Sequence, residues 1–262
     1  MGFIYDAFKK IAYKAIDVIT LGNGVPVTIN NFKLKLPTKY FRMFPKDYEA
    51  SSFSFFKKHL KQGDTVIDIG AHIGLYSVFF AKQTNGKVYS FEPTPDTASV
   101  LRETIKINHC KKNVTVVQAA VSEKPGLATF YTDDADVHTG NSLVALDLGS
   151  DSKRKGAYQV PVTSVDQVRM ENNLTIDFLK IDAEGVELDV LKGARNTFLT
   201  DRPKGILGLH PFAYTNKQET LSAIWELLHE YKLQVQADGK TISKEQFCNR
   251  DEWVYDVEFL PG

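Results

Sequence analysis

Apolar positions along the chain fall into two rhythms, and these alternate. Short apolar runs at 65–69 (TVIDI, largely β-branched), 87–91 (KVYSF), 113–121 (NVTVVQAAV), 176–181 (IDFLKI) and 205–209 (GILGL) read as strands of a largely buried sheet. Between them, apolar residues recur every three or four positions: Leu75, Val78, Phe79 and Ala81, then Val100, Leu101, Ile105 and Ile107, then Val186, Leu188, Val190 and Leu191. That spacing predicts helices packed on one side. Strand and helix in turn predict an α/β fold with a mostly parallel sheet.

The rhythm is broken near the start and in the middle. Phe3, Ile4, Ala7, Phe8, Ile11, Ala12, Ala15, Ile16 and Ile19 make one face of a helix and Lys9, Lys10 and Lys14 the other. Such a face docks on the domain or on a twin subunit of a homo-oligomer, with a membrane surface as the alternative. Gly22-Asn23-Gly24 ends the helix, and residues 25–36 (VPVTINNFKLKL) alternate about Asn30-Asn31 as a hairpin capping the sheet. Residues 1–45 are therefore expected as an appendage to a domain of residues 46–262. A helix over 51–60 leads to Gly63 and the first core strand, and Glu49 before it is either a rim acid of the site or a first-turn charge. From about 122 to 168 the runs become short and alternating, at 127–131, 142–146 and 158–162. An antiparallel insertion is expected there, with loops able to close over a pocket and with His138 and Asn141-Ser142 unassigned. After a helix at 164–170 and the strand at 205–209, a helix over 218–231 and strands at 233–237 and 253–260 close the domain as a hairpin.

Composition removes several classes of partner. The 262 residues suffice for one large domain with a small appendage, and 32 Lys plus Arg balance 32 Asp plus Glu, so there is no basic field for a nucleic acid. Cys110 and Cys248 are far apart and lack metal spacing, which predicts a reducing, cytoplasmic setting. No apolar run approaches the ~20 residues of a membrane span, and no secretory leader is expected.

Candidate chemistry sits at strand tips. The turn after the first strand reads Asp68-Ile69-Gly70-Ala71-His72-Ile73-Gly74 and lacks two glycines of the dinucleotide pattern G-x-G-x-x-G. Asp68 would repel a pyrophosphate but suits a cation, and S-adenosylmethionine carries a sulfonium and an ammonium. Asp68, Gly70, Ala71, His72, Gly74, Tyr76 and Ser77 are accordingly candidates for holding that cofactor, whose carboxylate would take the helix N-terminus. Glu92, followed by Pro93 at the tip of the second strand, offers two oxygens side by side to the ribose hydroxyls. Ala119, Ala120 and Val121 end the third strand in small side chains that leave room for a flat base.

The strand at 176–181 ends in Lys180, Asp182 and Glu184 before Gly185. An ammonium inside a strand needs a carboxylate partner, here Asp182 or Glu184, and Lys180 is then an ion-pair tether or a catalytic group. Glu187 and Asp189 read as first-turn helix acids, otherwise solvated. His210, at the tip of the strand at 205–209, is a candidate base for a hydroxyl, with Asp182 as the alternative. Asp182 and Glu184 would otherwise anchor acceptor hydroxyls or, with His210, hold a divalent metal, which the sequence leaves unassigned.

DIGAHIGLYS, FEPTPDT and above all FLKIDAEGVELDVLKGA resemble the methyltransferase domain of FkbM-type S-adenosylmethionine-dependent enzymes, as does residues 162–167 (VTSVDQ) ahead of the fourth strand. The resemblance spans about residues 45–215, and the K-I-D-x-E-G-x-E block is its most specific part. It implies the Rossmann-like seven-stranded sheet of class I methyltransferases, and methyl transfer to a hydroxyl oxygen of a sugar or natural product, a small-molecule acceptor. Two positions depart from the pattern: His72 stands where asparagine is common, and Gly208 where many members carry an acid. A nicotinamide-dependent oxidoreductase and a non-catalytic protein of the same fold are the competing classes.

Overall fold

A computed structural model describes residues 2–132 and 156–262. Helix α1 (Gly2–Thr20) precedes the hairpin β1 (Val25–Ile29) and β2 (Phe32–Leu36), then helix α2 (Ala50–His59). The repeating units follow: β3 (Val66–Ile69), α3 (Leu75–Thr84), β4 (Val88–Phe91), α4 (Pro95–Ile107) and β5 (Val114–Val117). After β6 (Ala120–Val121), β7 (Gly126–Thr132) and β8 (Gly156–Thr163) come α5 (Val165–Glu171), β9 (Phe178–Asp182), α6 (Glu187–Lys192), α7 (Arg195–Thr200) and β10 (Lys204–Leu209). The chain finishes with α8 (Lys217–Glu230), β11 (Leu233–Ala237), β12 (Lys240–Thr241), α9 (Lys244–Cys248) and β13 (Tyr255–Pro261).

The main sheet has the order β12-β11-β13-β10-β9-β3-β4-β5. Strands β5, β4, β3, β9 and β10 are parallel, while β13 enters antiparallel between β10 and β11. The seven expected strands are present, and the two-residue β12 extends the edge. The order reverses between β3 and β9, which opens a crevice at their carboxyl ends.

Because side chains alternate across a strand, the sheet has two different faces. Ile67, Ile69, Leu179, Ile181, Leu207, Val257 and Phe259 share one core with Val190, Leu191, Phe198, Ile224 and Leu228 from the later helices. Val66, Val88, Phe178 and Ile206 face the other core, with Phe53, Phe56, Phe79, Phe80, Leu101 and Ile105. Toward the carboxyl ends this second face turns polar: Ser90, Asp68 and Lys180 are register neighbours, and so, one step further on, are Asp182, Gly208 and Asp256.

The hairpin forms as expected, with Asn30 and Asn31 both left-handed (φ 47° and 63°) as a two-residue turn demands. It buries Ile29, Leu34 and Leu36 in the second core, and Phe32 meets Phe79 edge-on at 5.1 Å, so this half of residues 1–45 is packed into the domain. Helix α1 differs. Its residues Ile11, Val18 and Ile19 are 65–80% exposed, and it is tied down where Thr38 donates its hydroxyl to Asp17. Among the described residues no helix is long and apolar enough to cross a membrane.

Two expectations in the middle of the chain are corrected. The single strand over 113–121 is divided: β5 pairs with β4 only as far as Val117, opposite Phe91 where β4 ends, and Ala120–Val121 instead pairs with β8. The insertion is also mixed, β7 pairing antiparallel with β8 but β6 parallel to it. The expected strand at 142–146, with His138 and Asn141-Ser142, lies outside the described residues.

Candidate functional site

A cavity of about 290 Å³ opens at the carboxyl ends of β3, β4, β9 and β10, where the strand order reverses. One end is built by the turn after β3. Gly70 sits at φ 73°, and a Cβ on it would fall 2.0 Å from the Asp182 carbonyl oxygen, so only glycine lets the tips of β3 and β9 come this close. Glu92, at the tip of the neighbouring strand β4, lies against this turn, 7% exposed. Its Oε2 accepts the His72 backbone N–H at 3.1 Å and its Oε1 the Thr94 N–H at 2.9 Å. The carboxylate is thereby fixed with both oxygens presented together. Burial pushes its pKa up to about 7, with the Thr94 and His72 contacts opposing the rise.

Gly70, Ala71, His72, Tyr76, Glu92, Pro93, Ala120 and Val121 all line this cavity. Asp68, Gly74 and Ser77 do not, which corrects their expected place on its wall. Asp68 points to the α3 side, buried; it accepts the Ser77 hydroxyl at 2.6 Å, and Ser90 donates to Ser77 at 2.8 Å. Among the described residues its Oδ1 has no hydrogen-bond partner, and burial raises its pKa against the pull of Lys180. Gly74 serves packing, since a Cβ there would meet Leu101 at 2.5 Å.

At the other end the polar row of the sheet meets His210. Lys180, 6% exposed, donates to Asp182 Oδ2 at 3.0 Å, the ion pair expected of a lysine inside a strand. Burial alone would lower the lysine pKa, but Asp182, Asp68 and Glu49 hold it above the ordinary value; reciprocally, Lys180 and His210 overcome burial and keep Asp182 below the carboxylate range. His210 Nε2 is 3.4 Å from Asp182 Oδ1, and its Nδ1 is 2.8 Å from Glu187 Oε1. Burial opposes protonation of His210, yet Glu187 first, then Asp182 and Asp256, raise its pKa. Glu184 also lines the cavity, its pKa pushed well up by burial and by Asp182, Glu92 and Glu187.

Glu187 is the main correction among the acids. Expected in solvent, it is fully buried, and it accepts from Tyr214 Oη at 2.8 Å and the Gly185 N–H at 2.9 Å as well as meeting His210. The signal was in the sequence: Glu187, Val190 and Leu191 are spaced i, i+3, i+4 and share the inward face of α6. Tyr214, Ser52 and Asp256 were not singled out either. Glu49 does stand on the rim, accepting the Tyr76 hydroxyl at 2.6 Å. Among the described residues, no three His, Cys, Asp or Glu side chains are arranged to hold a metal ion.

This sheet order, with its pocket at the switch point and an acid at the tip of the second core strand, is the Rossmann-like architecture of class I methyltransferases. The crystal structure of Methyltransferase FkbM from Methylobacillus flagellatus KT matches with a TM-score of 0.50 at 18% identity, covering 76% of this chain and 44% of that one. The Methyltransferase FkbM domain matches residues 68–235, and the chain belongs to that family. Methyltransferase sdnD of Sordaria araneosa is 29% identical over 166 residues, 52% of this chain and 62% of that protein. The hexuronic acid methyltransferase AglP of Haloferax volcanii is 27% identical over 137 residues, 52% of each chain. The matches therefore span under two thirds of either relative.

Proposed function

We propose that this chain is an S-adenosylmethionine-dependent methyltransferase that acts on a hydroxyl oxygen of a sugar or natural-product acceptor. Family membership supports methyl transfer, and one observation carries the rest. A single cavity joins a carboxylate fixed for two hydroxyl donors, Glu92, to an imidazole backed by a buried carboxylate, His210 with Glu187.

The residues present fit the cofactor. Glu92 would take the two ribose hydroxyls, Ala119, Ala120 and Val121 would lie along the base, and the Gly70–His72 turn would border the amino-acid end, with Asp68 and Lys180, register neighbours on β3 and β9, in the sheet below. Bound there, S-adenosylmethionine supplies a methyl group on a positively charged sulfur. The chain must align a nucleophile with that methyl and remove its proton. His210 suits proton removal: with Nδ1 donating to Glu187, the neutral ring leaves Nε2, 3.4 Å from Asp182 Oδ1, to take the proton, and Glu187 and Asp182 together stabilise the imidazolium that forms. As the methyl group is transferred with its sulfur as the leaving group, the proton of the acceptor hydroxyl would pass to His210 Nε2. Asp182 is the weaker base of the two, since Lys180 holds it ionised; it suits anchoring a neighbouring hydroxyl.

Thermal unfolding with S-adenosylhomocysteine tests this reading. At 100 times Kd a ligand of the native state adds about 2.7 kcal/mol, a rise of roughly 5–10 °C in Tm for a chain of this size. A shift with NAD and none with S-adenosylhomocysteine would overturn the assignment. Radiolabelled methyl transfer to hydroxylated acceptors then separates an enzyme from a protein that merely binds.

A further inference from the structure

The acceptor end of the cavity carries an acid that arrives from the last strand. Gly208 on β10 is paired with Asp182 on one side and Asp256 on the other. Because Gly208 has no side chain, Asp256 Oδ1 and Asp182 Oδ1 lie 3.3 and 3.4 Å from the point its Cβ would occupy, flanking an open gap on the cavity wall. The two acids are not equivalent. Asp182 is matched by Lys180 at 3.0 Å, whereas Asp256 accepts the Ser52 hydroxyl on Oδ2 at 2.7 Å and makes no ion pair among the described residues. Just outside, Phe212 and Trp253 are 37% and 65% exposed, with rings 5.6 Å apart at 68°. Phe212 meets the His210 ring at 5.9 Å, and Val254, next to Trp253, lines the cavity. Hydroxyl acceptors beside an exposed aromatic face are the chemistry that holds a sugar ring: the carboxylates take its hydroxyls and the aromatic face covers its C–H side.

We propose that Asp256 is the specificity-determining residue of the acceptor site, which takes a neutral pyranose ring and rejects one bearing a carboxylate. Asp256 accepts a hydroxyl beside the one that is methylated, and Trp253 with Phe212 supports the ring. Asp256, Asp182 and Glu49 share this end with Lys180, which pairs with Asp182, and with His210, which is matched by Glu187, so a uronate would bring a like charge against the acids. Asp256 lies beyond residue 235, outside the stretch that the family match covers. The inference rests on the methyltransferase reading and deepens it.

The test uses the whole chain saturated with S-adenosylhomocysteine and two probes, methyl β-D-glucopyranoside and methyl β-D-glucopyranosiduronate, titrated by ligand-observed NMR. The glucoside is expected to bind at least about tenfold more tightly than the uronate. Asp256→Asn is expected to narrow the ratio to within about threefold while leaving S-adenosylhomocysteine affinity intact, since the amide removes the charge and keeps the shape. Gly208→Ala, which closes the gap between the carboxylates, is expected to weaken the glucoside with the same cofactor affinity, and Trp253→Ala to weaken both probes alike. Equal or stronger binding of the uronate by the unaltered chain, an unchanged ratio in Asp256→Asn, or binding of neither probe would overturn the proposal. Loss of S-adenosylhomocysteine binding in the unaltered chain would instead overturn the cofactor reading on which it rests.

Discussion

His210 owes its proposed chemistry to a carboxylate that water does not reach. If Glu187 orients and charges the imidazole, Glu187→Gln should lower kcat by about 10²-fold or more and leave S-adenosylhomocysteine affinity unchanged. The raised His210 pKa fixes the sign: a base works unprotonated, so turnover should fall as pH drops through a limb above 6.5, and Glu187→Gln should move that limb to lower pH. Glu92 gives a second pH dependence. Cofactor hydroxyls need its ionised form, so affinity should rise as pH passes about 7, and Glu92→Gln should flatten the profile and weaken binding by about 10- to 100-fold, as for a lost charged hydrogen bond. In the free protein the sign is opposite. Between 4.5 and about 7 the native carboxyl keeps a proton that the unfolded chain has lost, so its contribution to stability declines as pH rises; urea titrations of both proteins would show it. Residues at strand tips, Glu92, Lys180, Asp182 and His210, were legible because a charge at the end of an apolar run has few explanations. Glu187 is harder to read, because dipole and solvation explain a first-turn acid unless its i, i+3, i+4 spacing with Val190 and Leu191 is weighed, and Asp256 depends on a strand pairing that no local pattern encodes.

Elements were easier to read than their limits. The helices over residues 75–84 and 95–107 follow from apolar spacing, and β3, β4, β9 and β10 from their short apolar runs, within one or two residues. The division between β5 and β6 escaped, since NVTVVQAAV is continuous in composition and breaks because the sheet ends there. At this scale the turn after β3 is the sensitive joint. Gly70→Ala combines φ 73° with a Cβ 2.0 Å from a backbone oxygen, so it should cost at least about 1–3 kcal/mol in strain alone, lower Tm and abolish detectable cofactor binding. An unchanged melting curve would show that β3 and β9 can move apart.

For the whole molecule, the α/β class and parallel centre follow from alternation, but the placing of β13 between β10 and β11 does not, because pairing order is a property of the assembled sheet. Helix α1 is held at Asp17 by the Thr38 hydroxyl and leaves Ile11, Val18 and Ile19 exposed, so removal of residues 1–16, which spares Asp17, should leave the two cores folded and preserve cofactor affinity, as thermal unfolding and calorimetry would show. The position of β13 also orders events during synthesis. A ribosome delivers β3, β4, β9 and β10 first, and until β13 emerges β10 has a raw margin and β11, paired only with β12, has no strand linking it to the main sheet. A nascent chain stalled before residue 255 would thus present a sticky half-sheet to its neighbours, and chaperone demand should peak in that interval.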